Sequence, residues 1–250
     1  MCLIVFAWKA HPNYPLILAS NRDEFYHRPT SAAHQWPDHP SIWGGRDNEA
    51  KGTWLAVNEQ KKLAAVTNYR DLSNINPDAT SRGELSVDFL LNQNTGADYI
   101  HKIDQKADTY NGFNLLTFDD DQAFHYSNYE KQVNELAPGI YGLSNALLDT
   151  PWPKVAHVKS MFTALIEKPF QTDDLLKMMQ NNTLANDSLL PATGLPYHKE
   201  KALSSICIRT EGYGTRCSTI IIKDYYGAMR FAEQSYAVGG REAGLIDFVL

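Results

Sequence analysis

Two apolar runs close to the start of the chain most constrain how it can fold. Residues 2–8 and 15–20 are apolar at almost every position, and the polar residues His11, Pro12 and Asn13 separate them. Successive side chains of a strand point to opposite faces, so a strand that is apolar throughout has to be covered on both faces. We therefore predict a two-stranded hairpin that is buried on both faces.

The rest of the chain alternates strand patterns with helix patterns. A capping-box spacing from Ser81 to Glu84 predicts a helix start ahead of residues 85–91. Further helices are predicted over 97–105, 152–167 and 172–180, and strands over 54–58, 62–68, 114–118, 123–127, 140–143, 205–209, 218–223 and 229–237. We expect mostly antiparallel sheets covered by helices, which is an α+β layered fold in a single domain over 1–250.

Two long segments carry no clear period. Residues 28–46 contain several prolines, the histidines His34 and His39 and two tryptophans, and residues 185–199 contain Pro191 and two further turn-forming residues. Loops of this length are usually functional or mobile, and the alternative is that they cover the surface.

Composition excludes several classes of function. With a net charge of −6, the chain has no basic footprint for nucleic acid or anionic lipid. The apolar run at residues 2–8 is too short for a signal peptide or a membrane span, so we expect a cytoplasmic protein. The three cysteines form no CxxC pair, and we find no nucleotide-binding or zinc-binding motif. We predict no metal site and no required cofactor.

Cys2 is the first candidate functional residue. Removal of Met1 would leave a residue that carries both a thiol and a free α-amine, which is the arrangement of an N-terminal nucleophile. An α-amine has a pKa near 7.7–8.0, so it can accept the thiol proton near neutral pH. An amine still blocked by Met1 could not act as that base. The alternative is that Cys2 is a small buried apolar residue.

The hairpin itself brings polar residues towards Cys2. If the second strand returns antiparallel to the first, the tetrad Asn21, Arg22, Asp23 and Glu24 lies beside the thiol. We expect the Arg22 cation to stabilise a thiolate, and Asp23 either to orient the amine or to pair with Arg22. A plain salt-bridged strand end is the alternative.

Several short blocks together make a specific resemblance over residues 2–223. They are Cys2, the 21–24 tetrad, Gly52-Thr53-Trp54-Leu55, Thr67-Asn68-Tyr69-Arg70, Ser81-Arg82-Gly83-Glu84, Asn111-Gly112-Phe113-Asn114, Leu143-Ser144-Asn145 and Gly214-Thr215-Arg216. In these the chain resembles the NRDE family, also called the Transport and Golgi organization protein 2 family. The resemblance implies a four-layer αββα sandwich like that of N-terminal nucleophile hydrolases.

The resemblance also implies roles for site residues. Cys2 would be the nucleophile, Arg22 its electrostatic partner and Asp23 the residue that holds the amine. The remaining implied residues are Asn68 and Asn145 as oxyanion donors and Arg216 as a second cation. Each of these last three could instead be a turn or strand-end residue.

Two functions of different classes follow, and a third is less specific. The family resemblance implies intracellular heme trafficking or the handling of heme or acyl lipids, with His34, His39 or Cys2 as possible iron ligands. The predicted ligand-binding residues are Asn21, Glu24, Trp36, Trp43 and Trp54. The alternative is a Cys2-dependent amidohydrolase or thioesterase that forms an acyl-cysteine intermediate. A binding scaffold with an inert Cys2 also remains open, as does the oligomeric state.

Overall fold

The computed structural model of the protein describes residues 2–250, and its secondary structure is dominated by strands. The strands are β1 (Cys2–Trp8), β2 (Leu16–Phe25), β3 (Thr30–Gln35), β4 (Ile42–Asp47), β5 (Leu55–Asn58), β6 (Leu63–Asn68), β7 (Phe113–Phe118), β8 (Ala123–Ser127), β9 (Gln132–Glu135), β10 (Gly139–Leu143), β11 (Tyr213–Lys223), β12 (Met229–Tyr236) and β13 (Glu242–Val249). The helices are α1 (Gly83–Leu91), α2 (Gly96–Asp104), α3 (Pro153–Ile166), α4 (Thr172–Met179) and α5 (Tyr197–Ala202).

The elements fall into two compact units. The first unit contains the described residues up to His27 together with Pro138–Leu250, and the second unit is Arg28–Ala137. The first unit is thus assembled from both ends of the chain. The single domain over 1–250 stays a prediction.

The first unit is built on a six-stranded sheet. Its strand order is β10-β1-β2-β11-β12-β13, and every neighbouring pair is antiparallel. One face of β1 and β2 packs on α3 and α4 through an apolar core that includes Leu3, Val5, Ala7, Ile17 and Ala19. The alternate residues of β1 are buried as well, because all seven of its positions are buried. The predicted hairpin that is buried on both faces is confirmed.

The second unit is a seven-stranded antiparallel sheet. Its strands lie in sequence order from β3 to β9, so each strand pairs with the one that follows it in the chain. Helices α1 and α2 pack on this sheet through Leu85, Phe89 and Ile100, which share one apolar core with Phe113 and Tyr126. Each unit is therefore one antiparallel sheet with helices packed on it.

Three sequence predictions of local structure are wrong. Residues 28–46 are not irregular, because they form β3 and most of β4, and Pro37 and Pro40 lie in the turn between these strands. Helix α1 has no capping box, since its N-cap residue is Arg82 and no side chain caps it. Residues 205–209 form no strand.

The reason for the missing strand at 205–209 lies in its hydrogen bonds. The Ile206 carbonyl accepts from the Asn21 side chain, and the Ile208 N–H donates to the Thr215 hydroxyl. The Cys207 N–H donates to the Asn181 carbonyl, and the Ile208 carbonyl accepts from the Thr215 N–H. Side chains and scattered backbone partners therefore satisfy this buried backbone in place of a continuous ladder. Residues 185–199, by contrast, are largely irregular, as predicted. No helix within residues 2–250 is long and apolar enough to cross a membrane.

Candidate functional site

Four neighbouring strands bring polar residues to one end of the first unit's sheet. Cys2 at the start of β1 lies opposite Arg22 of β2, and Arg22 lies opposite Cys217 of β11. On the other side of β1, Leu143 pairs with Ile4, so Ser144 and the residue after it continue past the end of β10. The hydroxyl of Ser144 donates to the Cys2 carbonyl at 3.1 Å. The polar blocks seen in the sequence are thus gathered around Cys2.

Strand alternation divides the 21–24 tetrad between the two faces of the sheet. Directly opposed residues of an antiparallel pair have their side chains on the same face, so Cys2, Arg22 and Cys217 share one face. Asn21 and Asp23 lie on the opposite face, which α3 and α4 cover, because their side chains reach residues of these helices. The tetrad therefore contributes to the site from both sides.

The Cys2 thiol lies in a buried environment, with the residue 7% exposed. Burial raises the pKa of the Cys2 thiol, and the nearby carboxylates of Asp23 and Glu24 also raise it, whereas Arg22 lowers it. We expected Arg22 to stabilise a thiolate. Its charge acts in that direction, but burial outweighs it, so the resting form is the neutral thiol. Any nucleophilic role of Cys2 requires a base that removes its proton.

Asp23 is fully buried and is held from two elements. Thr215 of β11 donates from its hydroxyl to Asp23 Oδ1 at 2.7 Å. Lys154 of α3 places its Nζ 4.0 Å from Asp23 Oδ2. Burial is the largest effect and raises the pKa of the Asp23 carboxyl above its usual range, while Lys154 and the Thr215 hydrogen bond act in the opposite direction and lower it. The carboxyl therefore needs these partners to carry a charge inside the protein.

Sequence reasoning missed Lys154. This lysine is 2% exposed and lies in helix α3 at the head of a stripe of buried residues formed by Val158, Phe162 and Ile166. These four residues are spaced by four and so share one helix face. A lysine in line with an apolar stripe is the signal that could have identified a buried cation.

Arg216 lies at an irregularity in β11. Asp23 pairs with Thr215 and Arg22 pairs with Cys217, so Arg216 is an extra residue in a β-bulge. Bulges redirect a side chain and are common beside active sites. The Arg216 Nη1 donates to the Phe25 carbonyl at 2.9 Å. Burial lowers the pKa of Arg216, and the neighbouring Arg22 cation lowers it further. Two cations therefore lie near each other at these strand ends.

Asn145 lies two residues past the end of β10 and is fully buried. The Asn145 Oδ1 lies 3.3 Å from the Ser144 hydroxyl, which shares its one hydrogen between this oxygen and the Cys2 carbonyl. In this orientation the amide NH₂ of Asn145 points away from Ser144 and can donate hydrogen bonds to another group. Its role as an oxyanion donor stays a prediction.

Asn21 has a structural task. Its Nδ2 donates to the carbonyls of Met179 and Ile206 at 2.9 Å each, and its Oδ1 accepts from Ser218 at 2.6 Å. The amide thus links β2 to the end of α4, to the segment before β11 and to β11 itself. Ligand binding by Asn21 stays a prediction, as it does for Glu24, whose Oε2 is 4.0 Å from Arg22 Nη2.

The remaining predicted residues belong to the second unit, and their part in the site stays a prediction. Asn68 ends β6 and is half-buried, and Trp54 is buried just before β5. Trp36 follows β3, donates from Nε1 to the Gly44 carbonyl at 3.0 Å and carries the Arg46 guanidinium 4.3 Å from its ring centre. The predicted residues in this unit are Trp36, Trp43, Trp54 and Asn68, together with the histidines His34 and His39.

Removal of Met1 concerns a residue that lies outside the described part of the chain. Within residues 2–250, no group of three or more His, Cys, Asp or Glu side chains is arranged to hold a metal ion.

Comparison with known proteins identifies the family. The profile of the family described as Transport and Golgi organisation 2 matches residues 1–238. The chain belongs to the Transport and Golgi organisation 2 family. It is 38% identical to the Transport and Golgi organization protein 2 homolog of Bos taurus, over 94% of this chain and 93% of that protein. The Homo sapiens homolog is 37% identical over the same shares of the two chains. The predicted family membership is confirmed.

A solved structure shares the fold of this Transport and Golgi organisation 2 family member. The Caenorhabditis elegans ortholog of N-acylethanolamine-hydrolyzing acid amidase superposes with a TM-score of 0.50, covering 88% of this chain and 92% of that one. The two sequences are 9% identical, so the likeness concerns the fold alone. The predicted fold class is confirmed as α+β with antiparallel sheets, like that of N-terminal nucleophile hydrolases.

Proposed function

We propose that this protein is a cysteine hydrolase that cleaves acyl amides or acyl thioesters through an acyl-Cys2 intermediate. The observation that carries the proposal is the convergence of four neighbouring strand ends on Cys2. Arg22 lies directly opposite Cys2, Asp23 and Arg216 lie at the same ends of β2 and β11, and Asn145 lies just past the end of β10. A cysteine that served only to pack the core would not need charged and polar residues beside it.

The chemistry starts with transfer of the thiol proton. Burial keeps Cys2 protonated, so a base must act as the sulfur attacks. Once Met1 is removed, the α-amine of Cys2 is that base. The sulfur bonds to the acyl carbon, and the carbonyl electrons move onto oxygen. On collapse the carbon–nitrogen or carbon–sulfur bond breaks, and the amine's proton passes to the leaving group. Water then hydrolyses the acyl-cysteine and restores the thiol.

The surrounding residues suit the charges that form. Negative charge on the acyl oxygen is stabilised by fixed donors and cations, which is the part we assign to the Asn145 amide, Arg22 and Arg216. Asp23, held by Thr215, accepts a hydrogen bond from the α-amine and orients it. A buried carboxylate can do this only while it is ionised.

The fold comparison supports the substrate class. The Caenorhabditis elegans neighbour is named for hydrolysis of N-acylethanolamines, which are acyl amides. Because the two sequences are so different, we carry over only the kind of bond, an acyl group joined to nitrogen. Acyl thioesters are included because their cleavage would pass through the same acyl-cysteine intermediate. Heme trafficking and heme handling rest on the family resemblance, and they stay predictions.

Intact-mass analysis tests the proposed function directly. Protein from which Met1 has been removed is incubated with a panel of acyl p-nitroanilides and acyl thioesters. We expect one added acyl group, mapped to Cys2. The Cys2→Ala variant should show none, and a matched Cys207→Ala variant should keep the adduct, since Cys207 is also a buried free cysteine.

Two results would overturn the proposal. One is that the whole panel leaves Cys2 unmodified in protein that lacks Met1. The other is that adducts form equally in the Cys2→Ala variant.

A further inference from the structure

Lys154 and Asp23 form a buried pair on the helix-covered face of the first unit's sheet. The side chains are 2% and 0% exposed, and the Lys154 Nζ lies 4.0 Å from Asp23 Oδ2. This separation is longer than an N–H···O hydrogen bond, so Lys154 acts on the carboxyl mainly as a charge. Each ion would be strongly disfavoured in this environment without an opposite charge nearby.

Of the two residues, Lys154 belongs to the helices that cover the sheet, and Asp23 belongs to the candidate site. Lys154 is at the start of α3, whereas Asp23 lies beside Arg22, the residue opposite Cys2. The Asp23 carboxylate also raises the pKa of the Cys2 thiol. A change in the charge of Asp23 therefore changes the site.

The groups that face Asp23 come from every element packed around it. Thr215 and Tyr213 of β11 donate to its side chain and its backbone carbonyl. The titratable or charged groups near it are Lys154 from α3, Cys2 from β1, Glu24 and Arg22 from β2 and Cys207 from the segment before β11. Among these, Lys154 lowers the pKa of the Asp23 carboxyl the most.

We propose that Lys154 is a positioning residue that keeps Asp23 ionised, so that this carboxylate can hold the α-amine of Cys2 as a proton acceptor. The inference rests on the proposed function and adds to it a residue from the helix layer. In this role Lys154 acts through Asp23. Because the Lys154 Nζ lies 4.0 Å from the carboxyl, the carboxylate oxygens can accept hydrogen bonds from Thr215 and from the α-amine. The lysine supplies the positive charge that compensates the carboxylate.

This role has a defined pH signature. A nearby cation lowers the pKa of a carboxyl, so replacing Lys154 with the neutral Met raises the pKa of Asp23. Acylation of Cys2 requires a neutral α-amine and an ionised Asp23, so both groups shape the acid limb, and the α-amine is present in every variant. The acid limb of the acylation rate should therefore move to higher pH by about one unit or more, which is about tenfold in rate below the midpoint. A purely structural role for Lys154 would lower stability without moving this limb.

The experiment compares five variants with the wild type, all without Met1. The rate of Cys2 acylation by p-nitrophenyl acetate is followed by intact mass across pH. Lys154→Met should show the shifted acid limb, and Lys154→Arg should restore the wild-type profile. In the double variant Asp23→Asn/Lys154→Met no carboxyl titrates at this position, so its profile should match that of Asp23→Asn. Lys159→Met is the matched control, because Lys159 lies in the same helix but pairs with Asp149 at the surface.

A second measurement does not depend on turnover. Infrared difference spectra report the carbonyl band of a protonated carboxyl group. In Lys154→Met this band should persist to a pH at least one unit higher than in the wild type, and it should be absent from Asp23→Asn/Lys154→Met. The double variant removes both buried charges, so it is expected to fold even if Lys154→Met does not.

The outcomes separate the inference from the proposed function. If wild-type Cys2 is acylated but Lys154→Met has an unchanged acid limb, the inference is overturned and the hydrolase survives. If no probe acylates Cys2, the proposed hydrolase function is overturned. The infrared band then tests by itself whether Lys154 keeps Asp23 ionised. An unshifted band, or failure of Lys154→Arg to restore the wild-type profile, would count against Lys154.

Discussion

Thr215 donates a hydrogen bond from its hydroxyl to the Asp23 carboxylate at 2.7 Å, and the same hydroxyl accepts from the Ile208 N–H at 2.9 Å. All three groups are buried. One side chain thus supports the candidate site and the irregular segment that precedes β11.

Thr215→Val should be strongly destabilising, because it keeps the shape of the side chain and removes both hydrogen bonds. An unsatisfied buried group costs about 1–3 kcal/mol, and more when it is charged, so we expect a loss of about 3 kcal/mol. Urea denaturation followed by circular dichroism measures it. Thr163→Val is the control, since the Thr163 hydroxyl bonds only within its own helix, to the Lys159 carbonyl, among the contacts described. A loss no larger than that of the control would contradict the assigned role.

Asn21→Leu should also lower stability, by about 3 kcal/mol, because it leaves the buried carbonyls of Met179 and Ile206 and the Ser218 hydroxyl without this partner. Chemical denaturation provides the measurement. Asn13→Ala in the exposed hairpin turn should change stability by less than about 0.5 kcal/mol. If Asn21 served only to bind a ligand, its replacement would leave the stability of the free protein nearly unchanged.

Gly214→Ala tests the close approach of β11 to its neighbours. A methyl group at this position would clash with the Tyr26 hydroxyl and would lie 2.7 Å from the Ile208 carbonyl oxygen. We expect a loss of about 1–3 kcal/mol, as for overpacking elsewhere. Gly212→Ala is a matched control two residues away, where nothing lies within 4 Å of the added carbon. Thermal melting of both variants should show a lower midpoint for Gly214→Ala alone.

Stability should fall at alkaline pH because buried tyrosines resist ionisation. Burial, the largest cause, raises the pKa of Tyr236 from 10.0 to about 12, and it raises the pKa values of Tyr99, Tyr110 and Tyr126 as well. A raised pKa means that the folded state binds more protons than the unfolded state above pH 10. The stabilisation is therefore complete below about pH 10 and is lost as the pH rises through the folded pKa.

Phenolate absorbance measured with denaturation curves between pH 9 and 12 tests this expectation. Tyr236→Phe should lose the alkaline dependence that Tyr236 contributes, while also losing its hydrogen bond to Ser218. Phenolate appearing at pH 10 for all tyrosines of the folded protein would contradict the predicted protection.

Local patterns predicted much of this fold correctly. The hairpin of β1 and β2 followed from two apolar runs. The helix predicted over 172–180 is α4, which begins at Thr172, where the Asp174 carboxylate accepts from the Gln171 N–H. These signals are local because side-chain alternation and helix caps involve neighbours in sequence. The strands β3 and β4 were missed because the prolines around them indicate irregular structure equally well.

The position of Cys2 beside Arg22 was determined by the sequence itself, since a tight hairpin of two apolar strands leaves little choice of partner. Only the tertiary structure placed Thr215 against Asp23, 192 residues away in the chain, and inserted the bulge at Arg216. It also brought Lys154 from α3 to the same carboxyl. The physical reason is that a local pattern specifies which face of an element is buried, whereas the partner on that face is selected by packing among distant segments.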